Sequence, residues 1–229
     1  KNADLFLAVS KKAGEWLSHF GINYDGVVYN CVDVNMEANT QSFLKKYDIS
    51  PEKKIISFAG RILKEKGMRF LLEGFRRIER KRDFMLVIAG GGPFLKTLKK
   101  EAGKDRGIIL TGELSYRETI NLIAASYIYV LPSLYPEGLP TTLLEAGLFG
   151  VPVITTSMGG TEELIEHEKS GIIIVQGSSQ DISYAINKLN DDKELYNLLS
   201  KNLQAKVKKD FSSHRSAAEL MKYIRKVCL

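Results

Sequence analysis

Short apolar runs alternate with amphipathic helical stretches along most of this chain, and that alternation leaves few folds open to it. The runs fall at Lys54 to Ala59, Phe84 to Ala89, Gly107 to Leu110, Tyr127 to Leu131, Val151 to Ile154 and Gly171 to Val175. Between them, apolar residues recur at helical spacing over Gly67 to Arg80, Phe94 to Gly103, Tyr116 to Ala125, Thr141 to Gly150 and Thr161 to Glu166. Ser179 to Leu189 and Lys193 to Lys209 show the same spacing further on. Strand, crossover helix and strand in repetition predict an α/β domain on a doubly wound parallel sheet.

The two ends read differently. Strand Leu5 to Ser10, helix Lys12 to Phe20, strand Val27 to Tyr29 and the polar stretch Asn30 to Asn39 suggest the last βαβ of a preceding domain followed by a linker. The expected division is a remnant and linker over 1–34, the main domain over 35–211 and a final helix with a basic face over 212–229. Asp210 and the cap-like pair Ser212-Ser213 set that helix off. The first residue is Lys1 and no signal segment follows it, so a fragment or a processed chain is expected.

Composition narrows the partners. An apolar fraction of 44% with 26% charged residues over 229 positions is ordinary globular material. The longest uncharged stretch, Thr119 to Pro136, contains Asn121, Ser126, Ser133 and three tyrosines, which suits a buried helix and strand better than a membrane span of ~20 apolar residues. Cys31 and Cys228 lie far apart with no metal-binding spacing, so reduced thiols in a cytoplasmic protein are expected. The net charge of +6, densest at Arg76, Arg77, Arg80, Lys81 and Arg82, favours anionic partners. A solvated helix face explains that cluster most simply, with a phosphate-bearing substrate or peripheral contact at the inner face of an anionic membrane as the functional readings. Nucleic acid is disfavoured, because no helix-turn-helix, zinc-finger or RNP-like pattern is present.

In a parallel sheet all strand ends lie on one rim, where open α/β sheets bind ligands. Gly60 ends the first core strand and allows a close backbone approach, and Arg61 and Lys66 follow it. Arginine grips a phosphate through two N–H groups, whereas lysine acts as a point charge. Gly90-Gly91-Gly92-Pro93 ends the second strand but lacks the third glycine of a dinucleotide fingerprint, since Leu95 stands there. The third strand leads into Thr111-Gly112-Glu113-Leu114, a turn whose backbone is suited to reading a base edge. The fourth leads into Pro136-Glu137-Gly138-Leu139-Pro140-Thr141-Thr142-Leu143-Leu144-Glu145. A helix starting near Pro140 and Thr141 offers free N–H groups and a positive dipole end to an anion. Glu145, about a turn inside, has acceptors for a ribose diol, and Glu137 faces whatever lies beyond the phosphates. After the fifth strand, Gly159-Gly160-x-x-Glu163 leaves Glu163 either in the site or complementing the first turn of its own helix. His19, His167 and His214 read as surface residues, and Trp16 as core or a contact with a lost domain.

Gly60-Arg61 with Lys66-Gly67, Gly90-Gly91-Gly92-Pro93, Thr111-Gly112, Pro132-Ser133, Glu137-x7-Glu145 and Gly159-Gly160-x-x-Glu163, taken in that order, resemble the group 1 (GT4) glycosyltransferases. Asn30-Cys31-Val32-Asp33 is similar to that family's interdomain Asn-Gly-Val-Asp, with Cys31 where glycine is usual. The resemblance implies a GT-B fold, of which this chain is the Rossmann-like, carboxy-terminal, donor-binding half, working against an amino-terminal domain that it lacks. It implies Arg61 and Lys66 on the donor diphosphate, Glu145 on the ribose, and Glu137 with Gly138, Leu139 and Pro140 on the transferred sugar. Gly60, Gly90, Gly112, Glu113, Leu114 and Thr141 complete the expected donor pocket. The implied reaction is retaining hexosyl transfer from a UDP- or GDP-sugar to a glycan or lipid-linked acceptor, with no metal and no other cofactor. Its expected setting is lipopolysaccharide or surface polysaccharide synthesis. A nucleotide-sugar epimerase of the same fold and a nucleotide-binding module without turnover are the rival expectations.

Overall fold

The computed structural model describes residues 4–228. The chain opens with a small parallel pair, β1 (Leu7–Ala8) and β2 (Gly26–Val27), joined by helix α1 (Lys11–His19). These elements match the predicted opening βαβ with shorter strands, and α2 (Thr40–Lys46) follows the linker. Cys31 has no left-handed backbone, so the linker turn does not call for glycine there.

The main sheet contains β3 (Lys54–Ala59), β4 (Phe84–Ala89), β5 (Ile108–Gly112), β6 (Ile128–Leu131), β7 (Val153–Thr156) and β8 (Ile172–Ile174). All pairings are parallel, in the order β5-β4-β3-β6-β7-β8. The helices are α3 (Met68–Arg76), α4 (Leu95–Ala102), α5 (Tyr116–Ala124), α6 (Thr141–Leu148), α7 (Thr161–Leu164), α8 (Ser179–Asp191), α9 (Lys193–Asp210) and α10 (Ser213–Cys228). The chain winds outward from β3 through α3 and α4, then crosses back through α5 to β6 and winds the other way. Right-handed crossovers therefore put the two sets of helices on opposite faces. Packing of α3 with α4 and α8, and of α6 with α5 and α9, agrees with that division.

Double coverage explains the apolar runs. Ile55, Ile56 and Phe58 of β3 and all of β6 are buried, and α3 turns Met68, Leu71, Leu72 and Phe75 onto the sheet. At the start of α5, a reciprocal pair fixes the boundary: the Glu118 N–H donates to Ser115 Oγ (3.3 Å) and the Ser115 N–H to Glu118 Oε2 (3.0 Å).

Some boundaries differ from expectation for local reasons. Helix α3 stops at Arg76 rather than Arg80, because Ile78 turns inward and a 3-10 turn at Lys81–Asp83 feeds β4. Strand β7 begins at Val153, after Pro152, which has no N–H to contribute to the ladder. Thr111 and Gly112 finish β5 rather than starting a turn, with a register shift opposite Ile88 and Ala89. Helix α2 was not expected, although Asn39 caps it by accepting from the Ser42 N–H at 2.9 Å and Phe43 anchors it in the core.

The reversal of winding lies between β3 and β6, and the loops leaving these strands are tied together there. The Leu134 N–H donates to the Glu65 carbonyl at 2.7 Å. Gly67, at φ +73°, leaves only 2.0 Å between a built Cβ and the Pro132 carbonyl oxygen. Gly67→Ala is therefore expected to cost about 2–3 kcal/mol, through left-handed strain plus a backbone clash. The urea midpoint and a thermal midpoint lowered by about 4–10 °C would register it.

Candidate functional site

Two cavities are lined by the loops that follow the sheet's strands. The first, about 300 Å³, is lined by Ala59 to Arg61 from the end of β3, Ala89 to Gly91 from β4, Glu113 and Leu114 after β5, Thr119 of α5 and Thr142 of α6. It brings together Gly60, Arg61, Gly90, Glu113 and Leu114 from the sequence reading. Gly112 sits just behind, its carbonyl accepting from the Gly90 N–H at 2.7 Å. The second cavity, about 460 Å³, is mainly apolar and is lined by Lys12, Ala13, Trp16 and Leu17 of α1, Tyr135 to Gly138, and Gly159.

The glycine run is spent on contact between loops. Gly90 has only 1.8 Å between a built Cβ and the Gly60 carbonyl, and the Ile62 N–H donates to the Gly91 carbonyl at 2.8 Å. These glycines shape the first cavity by letting the β3 and β4 loops lie on one another.

Lys66 and Glu137 do not stand apart, because their side chains form an ion pair that is largely withdrawn from solvent. The hydroxyl of Ser133, itself buried, donates to the same carboxylate oxygen. Ser133 had no assigned role in the sequence, since only the fold shows that it turns toward Glu137. Arg61 is exposed and makes no ion pair among the described residues. Pro140 takes the cap position of α6 rather than its first helical position, and no side chain caps the helix. The first-turn N–H groups at Thr141 and Thr142 therefore stay open to an anion. Leu139 is buried beside them.

Glu145 lies deeper than expected for a freely accessible hydroxyl acceptor, at 4% exposure in the middle of α6. It does not line either cavity; Thr142, one turn earlier, does. Burial pushes its carboxyl above the ordinary 4.5, and the neighbouring Tyr116 hydroxyl partly offsets the shift. Partial desolvation of its hydroxyl raises the Tyr116 phenol, and the charge of Glu145 raises it further, although the residue as a whole is 63% exposed. Tyr116 was another residue with no role in the sequence reading.

Glu163 stands in the first turn of α7, as one of the two expectations had it, but its hydrogen bonds go elsewhere. Its carboxylate accepts from the N–H groups of Lys11 (3.2 Å) and Lys12 (3.0 Å) and from the Tyr29 hydroxyl (2.7 Å). Trp16 is 52% exposed, so it is not core. His167 Nδ1 accepts from the Ile173 N–H at 3.0 Å on the surface. Among the described residues, no group of three or more His, Cys, Asp or Glu is arranged to hold a metal ion, and no helix is long and apolar enough to cross a membrane.

The raised Glu145 carboxyl sets a pH dependence. The folded protein holds this proton over a range in which the unfolded chain has released it. The resulting contribution is present below about pH 4.5 and is lost as pH rises through the higher folded value. Glu145→Gln should therefore match the wild type at pH 4 and exceed it in urea midpoint at pH 7, as measured by denaturant titration across that interval.

The family model for group 1 glycosyl transferases matches residues 39–206. Alpha-D-kanosaminyltransferase of Streptomyces kanamyceticus is 30% identical over 175 residues, covering 74% of this chain and 45% of that enzyme. The Anabaena HepE structure, solved with UDP and glucose, superposes with a TM-score of 0.88 at 22% identity, covering 98% of this chain and 64% of that one. The carboxy-terminal domain of the Francisella tularensis group 1 protein LpcC superposes with a TM-score of 0.68 at 27% identity, covering 80% of this chain and 99% of that domain. The fold is thus the Rossmann-like carboxy-terminal half of a GT-B architecture, and the chain spans about half the length of the curated relatives it matches. The chain belongs to the group 1 glycosyltransferase family.

Proposed function

We propose that this chain is the donor-binding half of a retaining hexosyltransferase that uses a UDP- or GDP-sugar and a glycan or lipid-linked acceptor. The observation that supports it is that Arg61 and Thr142, near the uncapped amino end of α6, line one cavity, while the Lys66–Glu137 pair ties the β3 loop to the β6 loop. A nucleoside diphosphate suits that arrangement: base between the β4 and β5 loops near Glu113 and Leu114, phosphates against Arg61 and the α6 amides. The sugar then lies toward Glu137 and Gly138. That HepE was crystallised with UDP and glucose supports this reading.

As the glycosidic bond to the donor breaks, negative charge grows on the departing diphosphate. Arg61 meets it with a two-pronged cation, and the helix end supplies fixed dipoles that need no reorganisation. Lys66 is held close by Glu137 and swings its charge toward the phosphate when the sugar's hydroxyls occupy that carboxylate. Cations and amides carry the leaving-group charge in this scheme, which is why we read the enzyme as metal-independent. Glu145 reaches the ribose only through Thr142 or by a side-chain shift at the top of α6.

We assign residues 1–34 to a preceding amino-terminal domain plus linker, 35–211 to the donor domain and 212–229 to a helix crossing back. Exposed Phe6, Val9, Trp16, Phe20 and Ile22 near α1, and Leu220, Met221, Ile224 and Val227 on α10, support that division. Acceptor groups belong mainly to the domain outside this chain. The setting we favour is lipopolysaccharide or surface polysaccharide synthesis in the cytoplasm, peripheral to the membrane. The second reading is a nucleotide-binding module without turnover on its own.

Calorimetric titration with UDP and GDP tests the site. One of them should bind the chain, and Arg61→Ala should weaken it roughly 10- to 100-fold. In the intact enzyme, loss of Arg61 or Lys66 should reduce turnover roughly 10²–10³-fold, by analogy with removal of one preorganised oxyanion donor. No binding of either nucleotide to the wild-type chain would overturn the assignment.

A further inference from the structure

Glu163 remains unused by the donor reading, yet one carboxylate takes three hydrogen bonds from a different part of the chain. Two come from Lys11 and Lys12, the first two residues of α1, and the next N–H, at Ala13, donates to Ser10 Oγ at 3.0 Å. The first amides of a helix have no partners within it and carry its positive dipole end. Glu163 and Ser10 together satisfy the first three, and Glu163 adds a full negative charge. Its third donor, Tyr29, follows β2, so the residue grips both arms of the β1–α1–β2 unit.

Behind Glu163 the chain passes through Gly159 and Gly160, which lie against the loop proposed to face the sugar. Gly159 forms a parallel bridge with Glu137, and the Gly160 N–H donates to the Glu137 carbonyl at 2.9 Å. From the other side, Asn30 Nδ2 donates to the Leu139 carbonyl at 2.7 Å. Glu137 to Leu139 are thus bounded by the Gly159–Gly160 turn and by the segment that Glu163 grips.

We infer that Glu163 is a positioning residue that clamps the β1–α1–β2 unit against the Glu137–Gly138 loop, fixing the width of the cavity between α1 and that loop. The clamp stands on the hydrogen bonds alone; its effect on sugar binding rests on the donor reading above.

Amide exchange by NMR, acrylamide quenching of Trp16 (the only tryptophan) and calorimetry with UDP and UDP-glucose on the chain provide the test. Glu163→Ala should speed exchange at Lys11 and Lys12 about ten-fold and increase Trp16 quenching, while β3 and β4 amides stay as in wild type. Glu163→Gln keeps a carbonyl acceptor and should recover most of the protection; Glu166→Ala, an exposed acid nearby, should change nothing. The variant should weaken UDP-glucose several-fold more than UDP. Unchanged exchange at α1, or faster exchange throughout the six-stranded sheet, would overturn the clamp. Equal weakening of UDP and UDP-glucose would overturn its link to the sugar-facing loop. If neither UDP nor GDP binds the wild type, the donor reading falls while the exchange and quenching results still decide the clamp; if only GDP binds, GDP and GDP-mannose take the places of UDP and UDP-glucose.

Discussion

Everything at the rim depends on the parallel pairing of β3 with β6, through Ile56 opposite Ile128 and Ser57 opposite Tyr129. These strands are neighbours in space but 72 residues apart at that register, and the chain leaves them in opposite directions around the sheet. A crevice is unavoidable where the windings part. The contact of Gly67 with Pro132 and the bond from Leu134 to Glu65 stop that crevice from spreading. Arg61 and Lys66 come from one lip, Ser133 and Glu137 from the other, so no single segment contains the site.

Charge is distributed unequally across the lips. Arg61 faces water and keeps a strong charge-assisted contact in reserve for an anion. Lys66 has spent its charge on Glu137, at 23% and 15% side-chain exposure, and Ser133 supplies a further bond. Removing one member of such a pair strands its partner in a poorly hydrated place, so the Lys66–Glu137 pair ties the two lips together as well as offering groups to a ligand. A ligand that engages both ends of the pair replaces one set of partners with another and leaves neither charge unpaired.

The long-range order of this fold was legible because continuous apolar runs left little choice: β3 and β4 have the bounds expected from sequence, and every predicted core strand is present. Residues whose roles depend on what surrounds them were less legible. Helix α2 escaped notice because its cap, Asn39, sits in a polar stretch that also reads as linker. Glu145 looked accessible at one turn into a helix, yet α6 is packed on both sides and buries it. Glu163 invited an explanation within its own helix, whereas its partners are 134 to 152 positions away. Spacing reports which residues share a loop or a helix face; it cannot report which distant segment a side chain will meet.

That difference bears on how the two halves of such an enzyme communicate. The six-stranded sheet is buried on both faces, and most of the large exposed apolar side chains among the described residues lie on α1, its flanks and α10. The core needs little from its surroundings, but the β1–α1–β2 unit has only two strands of two residues each and depends on contacts outside itself. Glu163 and Asn30 supply such contacts directly beside the proposed sugar-facing loop. The hydrogen bonds of Glu163 and Asn30 therefore link α1 and the segment after β2 to the backbone around Glu137 to Leu139. A two-stranded unit with little core of its own thus shares its hydrogen bonds with the loop proposed to face the sugar.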